Sequence, residues 1–274
     1  MASPNDELSS LLTPAILHKV LKNRLPWPMD KPLDWKEVHT YIFQAEDGPE
    51  QEQLREICWP TLQAISKLGV DNVPDMIQFL PSPESKDFLV QALGLQLLLD
   101  QAPRALCAGM DARYIMDYFQ IVSRKYAQQL LDLPSDWRID SKKRWVDEQG
   151  ASLDFWILTR LWLIAPLVHN ESLADHEFAE IMTEEVRVEV ENVTGKTDPY
   201  RAKREELMQD TLAFPRMYNE GPSSENGLPM EGFAFWVSRR GNILSSIQQY
   251  CKSCSPPRSP ERSLLLEYSS WSNY

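Results

Sequence analysis

The chain has 274 residues, 43% hydrophobic and 10% aromatic, enough for one large core or two smaller ones. Twenty prolines against ten glycines suit helices joined by stiff corners better than tight β-hairpins. A formal charge of -12 argues against a general nucleic-acid binder, so RNA contact needs a local basic patch. Cys58, Cys107, Cys251 and Cys254 are too few and too scattered for a disulfide framework; only Cys251-Lys-Ser-Cys254 has a metal or redox spacing, and it lacks a second ligand pair.

The opening MASPNDELSS has neither a basic region nor an apolar core, so it does not read as a signal peptide, and a cytoplasmic protein is expected. Leu11, Leu12, Ile16 and Leu21 predict one short amphipathic helix over Leu8 to Lys22 with Pro14 in its first turn. Residues 1–33 then form an N-terminal helix and a Pro-rich connector, and Asp34 can cap a helix carrying Trp35, Val38, Tyr41 and Ile42. Leu54, Ile57, Cys58, Leu62 and Ile65 predict a helix from Pro49 that stops before Gly69, and a loop follows to Pro83.

The stretch from Glu84 to Tyr118 organises the rest. Its apolar run ends in Leu99-Asp100-Gln101-Ala102-Pro103-Arg104, groups foreign to an ordinary core. Pro103 lacks an N–H and is expected to kink or end the helix that begins near Ser85. Asp100 and Arg104, four apart, can pair, and the pair either locks a helix corner or lines a polar pocket.

Ala112 to Leu131 repeats the helical period. From Pro134 to Gly150, Trp137 and Trp145 are interleaved with Arg138, Lys142, Lys143 and Arg144, the densest basic cluster. It is either a solvated face anchored by the tryptophans or a surface that stacks bases and holds phosphates. Leu153 to Val168 is apolar nearly all round but shorter than a bilayer span and interrupted by Arg160 and Pro166, so it reads as a central core helix.

His169-Asn170-Glu171-Ser172-Leu173-Ala174-Asp175-His176-Glu177 is a second polar cluster. Glu171 and Asp175 share a helix face, and close carboxylates push their pKa values apart, as acid and base work requires. Ser172 with Asp175 equally fits a capping box. The spacing does not match H-E-x-x-H, and no metal or cofactor is expected. Helices are expected from Ser172 to Gly195, Asp198 to Phe214 and Gly232 to Tyr250, with a second corner at Phe214-Pro215-Arg216 and a flexible tail over 251–274.

No stretch demands a strand, so the fold class is all-α, with residues 34–250 as one helical domain of antiparallel pairs around a buried central helix. There is no G-x-S-x-G, G-x-G-x-x-G or P-loop; a substrate would arrive already activated.

Leu98-Leu99-Asp100-Gln101-Ala102-Pro103-Arg104, then Gly109 and Asp117, resembles the L-D-Q-F-P-R…R-G-T…D signature of a widespread helical family with a TPR-like fold. Leu167 to Glu177 is similar to its P-F-E-H-S-E-D-L-A-D-Q-E segment, and Phe214-Pro215-Arg216 with Asn219 to its R-F-P-H-R-N. Ala108 replaces the arginine before the glycine, and the histidine of F-P-H-R is absent.

The chain is also similar to the fungal arginine-containing cyclodipeptide synthases, which join arginine from arginyl-tRNA to an amino acid from a second aminoacyl-tRNA as a diketopiperazine. Their D-D-x-x-E motif is kept at Glu171 and Asp175, with Ser172 in place of the second acid. The resemblance implies Glu171 and Asp175 as catalytic acids, with Asp100, Arg104, Arg160, His169, Glu177 and Arg216 binding substrate. Arg160 would pair with one of the acids, and Arg138, Lys142, Lys143 and Arg144, or else the run from Arg201 to Arg204, would touch tRNA. No membrane and no stable protein partner is expected. The competing class is a TPR-like scaffold holding a basic peptide; a third is a small-molecule hydrolase with a carboxylate-bound metal.

Overall fold

A computed structural model describes residues 4–43, 49–170, 172–198 and 201, and the described residues are all-α, as the sequence predicts, with no strand among them. The α-helices are α1 (Pro4–Leu11), α2 (Pro14–Arg24), α3 (Trp35–Phe43), α4 (Pro49–Ser66), α5 (Phe88–Leu106), α6 (Gln120–Leu131), α7 (Leu153–Val168) and α8 (Leu173–Thr194). The chain forms two compact units: residues 1–33 with 46–170, and 34–45 with 171–274.

In the first unit the single helix expected over Leu8 to Lys22 is two. Pro14 cannot donate to a preceding turn, so α1 stops and Thr13, in an extended conformation, caps α2 by accepting from the Ile16 N–H at 3.3 Å. α2 packs on α5 so closely that a Cβ at Gly94 would overlap the Leu17 carbonyl. The Pro-rich connector is tied to the start of α7: Met29 O accepts from Ser152 N–H at 2.7 Å, and Asp154 Oδ2 from Leu33 N–H at 2.8 Å.

α5 does not end at Pro103 but runs on to Leu106, a correction to the expected corner. A proline in the last turn removes one internal bond without ending the helix, and side chains from α4 secure the terminal carbonyls: Gln51 donates to Ala105 O and Arg55 to Leu106 O. α7 is capped by Ser152 Oγ, which accepts from Phe155 N–H at 3.1 Å. Asn170 closes its other end on the carbonyls of Pro166 and Leu167. α7 is buried from Asp154 to Leu167, a core helix as expected, and no helix of the described residues is long and apolar enough to cross a membrane.

Before α6 lies a π turn, Ile115–Phe119, where one continuous α-helix was expected. The wider turn accompanies burial of Tyr118, whose hydroxyl donates to Ile65 O at 2.5 Å.

In the second unit Asp34 Oδ1 caps α3 by accepting from Lys36 N–H at 2.9 Å and Glu37 N–H at 3.3 Å. α8 starts at Ser172 and stops at Gly195, whose φ of 69° suits a residue without a Cβ. The chain beyond Gly195 is fastened to α8 by ion pairs. Arg187 Nε meets Asp198 Oδ2 at 3.0 Å, and Arg201 meets Glu184 at 2.6 Å and Glu191 at 2.8 Å.

Candidate functional site

The polar chemistry of the first unit gathers where α5, α6 and α7 pack. Asp100 is 3% exposed. Its Oδ1 accepts from Ser123 Oγ of α6 at 3.4 Å and from His169 Nδ1, at the end of α7, at 3.3 Å. Gln101 donates to its other oxygen. Arg104, one turn further along α5, holds Nε 3.7 Å from Oδ1, an ion pair with no hydrogen bond to that nitrogen.

Burial pushes the Asp100 carboxyl up, but the His169 and Arg104 charges and the hydrogen bonds from His169 and Gln101 outweigh it and hold the group at about 2. An ionised carboxylate only accepts, so Nδ1 of His169 carries the proton in that contact. The imidazole is oriented by a carboxylate, and its side chain is 19% exposed. The ion-pair reading of Asp100 and Arg104 describes the contact, and a histidine sits beside it.

Other expected residues fall elsewhere. Arg160 pairs with Asp140, at 3.2 Å, and lies over the Trp156 ring; Asp140 also accepts a bidentate fork from Arg138 at 2.7 and 2.8 Å. Asp140, which sequence reasoning did not name, is thus a partner of Arg160; Glu171, one of the acids expected beside it, lies outside the described residues.

Arg144 is buried, donating to Trp137 O at 2.6 Å and Pro83 O at 2.7 Å between the rings of Phe88 and Trp137. Its guanidinium, 4% exposed, is engaged by protein carbonyls and by Glu148 at 3.9 Å. Lys143 is exposed and approaches Glu148 at 4.0 Å, and Lys142 is half-buried.

In the second unit Asp175 lies in the first turn of α8 and its N–H donates to Ser172 Oγ at 3.4 Å, the capping reading of that spacing. Asp175 is buried and Glu177 exposed. Glu171 and Arg216 lie outside the described residues, as do the second corner, the expected last helix, the Cys251–Cys254 pair and the tail; of the helix expected from Asp198, only Asp198 and Arg201 are described. No group of three or more His, Cys, Asp or Glu among the described residues is placed to hold a metal ion.

Sequence reasoning did not single out Ser123, Gln120, Gln96, Trp162 or Asp140. The signal was present for three of them: Gln96 interrupts the Leu93 to Leu99 run, and Gln120 and Ser123 fall on the same helical period as Phe119, Val122 and Tyr126.

An all-α protein with an oriented histidine–aspartate pair in a helical seam is therefore the class that fold and site define. Residues 50–216, more than half of the chain, match the model of a family described as "Bacterial protein of unknown function (DUF924)", and the chain belongs to that family. No curated protein and no solved structure matches.

Proposed function

We propose that the chain is a tRNA-dependent cyclodipeptide synthase that joins arginine from arginyl-tRNA to a second tRNA-borne amino acid. The observation that supports it most is the Asp100–His169 contact, because amide formation from an ester needs a base for the attacking amine and no nucleotide to activate the acid. His169 Nε2 takes the proton as the α-amine nitrogen bonds to the acyl carbon, and returns it to the ribose oxygen as the ester bond breaks. Arg104 Nε is the donor for the developing oxyanion. The free amine of the resulting dipeptidyl-tRNA then attacks its own remaining ester carbonyl, which closes the six-membered ring as that ester bond breaks and the second tRNA leaves with the proton on its ribose oxygen. Glu171 and Asp175 enter by their sequence spacing as the acids that select the guanidinium. Lys143, exposed beside Glu148, and Lys142 are the residues of the basic cluster assigned to phosphate contact.

Expression in a bacterial host supplies charged tRNAs. Mass spectrometry is expected to find an arginine-containing diketopiperazine, reduced at least 100-fold in His169→Gln and Asp100→Asn and lost in Glu171→Gln. A soluble, folded wild-type chain that makes none sinks the reading.

A second reading, a scaffold for a basic peptide, is favoured by one feature of α8. Glu177, Ile181, Glu185 and Val188 form an exposed stripe that alternates acid and apolar residues at helical spacing. Titration with an amphipathic lysine-rich peptide tests it, with Glu177→Lys and Glu185→Lys expected to abolish binding.

A further inference from the structure

Two helices carry exposed faces of opposite charge and equal spacing. α8 holds one Asp and six Glu against a single Arg, Arg187, which is buried and paired with Glu184 and Asp198. Its outward line is Glu177, Ile181, Glu185 and Val188, with Ile181 57% and Val188 42% exposed. Of the six large apolar side chains left exposed among the described residues, three (Ile181, Val188 and Val193) lie on this one helix. Exposed apolar residues scattered singly are ordinary, but a line of them alternating with acids on one helical face is a docking surface in want of a cationic, partly apolar partner.

α2 has that character. It contains Lys19, Lys22 and Arg24 and no acid. Ala15, His18, Lys19 and Lys22 form its exposed face, and neither lysine has an acid within ion-pair distance among the described residues. His18 is turned back on the helix, donating from Nδ1 to Pro14 O at 2.7 Å, so the two lysines set the charge of the face. α6 also lacks an acid, but its exposed line begins in the preceding π turn and runs Asp117, Ile121, Lys125, a mixture of signs that selects no acidic partner.

We infer that α8 of one chain docks on α2 of a second copy, the two helices running antiparallel. Ala15 and Lys22 are seven residues apart, as are Ile181 and Val188, about 10.5 Å in each helix. Ala15 set opposite Val188 therefore puts Lys22 opposite Ile181 and Lys19 opposite Glu185. The small Ala15 admits Val188, and the Lys22 stem covers Ile181 while its ammonium reaches Glu177. Pairing α2 with α2, or α8 with α8, sets like charges together, so only the crossed contact is attractive. The inference rests on the scaffold reading for the acidic face and names the partner that face takes.

The test is sedimentation equilibrium of the full-length chain, 31.7 kDa, over a range of concentrations at low salt. Wild type is expected to rise above the monomer mass with concentration and to return to it at about 0.5 M salt. Lys19→Glu with Lys22→Glu, and separately Glu177→Lys with Glu185→Lys, should each weaken association by about tenfold or more. Circular dichroism melts should stay as in wild type, because all four side chains are exposed. An equimolar mixture of the two variants is expected to associate again, since each reversed face then meets its opposite.

A wild type that stays monomeric, association indifferent to either pair of changes, or a mixture that does not recover overturns the inference. Titrating the lysine-rich peptide into the Lys19→Glu, Lys22→Glu chain separates it from the scaffold reading. Uptake of the peptide where wild type is monomeric keeps the scaffold and loses the second copy; no uptake where both variants dissociate does the reverse. Weaker tRNA binding by the Lys19→Glu, Lys22→Glu chain at unchanged mass would assign the α2 cations to RNA and overturn the inference.

Discussion

Asp100 is the residue on which the electrostatics of the first unit turn, and its ionisation is coupled to folding. Its carboxyl titrates at about 2 in the folded chain against an ordinary 3.8, so below about pH 4 the unfolded chain binds more protons than the folded one. The contribution is complete above pH 4 and is lost as pH falls towards 2. It amounts to about 2 kcal/mol at neutral pH. Urea unfolding of wild type and Asp100→Asn at pH 7, 4 and 2.5 is expected to show a gap that narrows with acidification; a gap constant with pH would mean the carboxylate is not held ionised.

Arg144 and Lys143, neighbours in sequence, should separate by measurement. Arg144→Met removes two hydrogen bonds from a buried guanidinium to the carbonyls of Trp137 and Pro83 and should lower stability by about 2–4 kcal/mol, measured by denaturant melts. Lys143→Glu, on an exposed side chain, should shift stability by less than about 0.5 kcal/mol.

At the scale of elements, helix ends and one close approach set the arrangement. Gly94→Ala would ordinarily favour a helix, but the Leu17 carbonyl occupies the space the methyl needs. It should therefore destabilise by about 1–3 kcal/mol through displacement of α2. A Tm equal to or above wild type would show that α2 does not approach α5 as described. Ser152→Ala removes the cap of α7 and should cost about 1 kcal/mol. The two prolines near helix ends, Pro103 and Pro166, behave alike: each lies within the last turn, so each helix continues a few residues and its final carbonyls are taken by Gln51, Arg55 or Asn170.

At the scale of the molecule the charge of -12 opposes the proposed tRNA substrate, and within the described cluster from Arg138 to Arg144 one arginine, Arg144, is buried and another, Arg138, is engaged by Asp140. Binding of aminoacyl-tRNA should weaken with salt, log Kd rising against log salt concentration with a slope of about 1 to 2, as two phosphate contacts would give. A slope above about 4 would require a basic surface other than Lys142 and Lys143.

The sequence by itself determined the all-α class, the core character of Leu153 to Val168, and the caps at Asp34, Ser172 and Gly195, because periodicity, burial pattern and capping are local properties of the chain. It also marked Asp100 and Arg104 as groups foreign to an ordinary core and placed His169 in a second polar cluster. Only the tertiary structure decided which charge meets which. Arg160 takes Asp140 twenty residues away, and Asp100 takes His169 sixty-nine away, since spacing along a helix fixes the direction of a side chain and says nothing of the helix it faces.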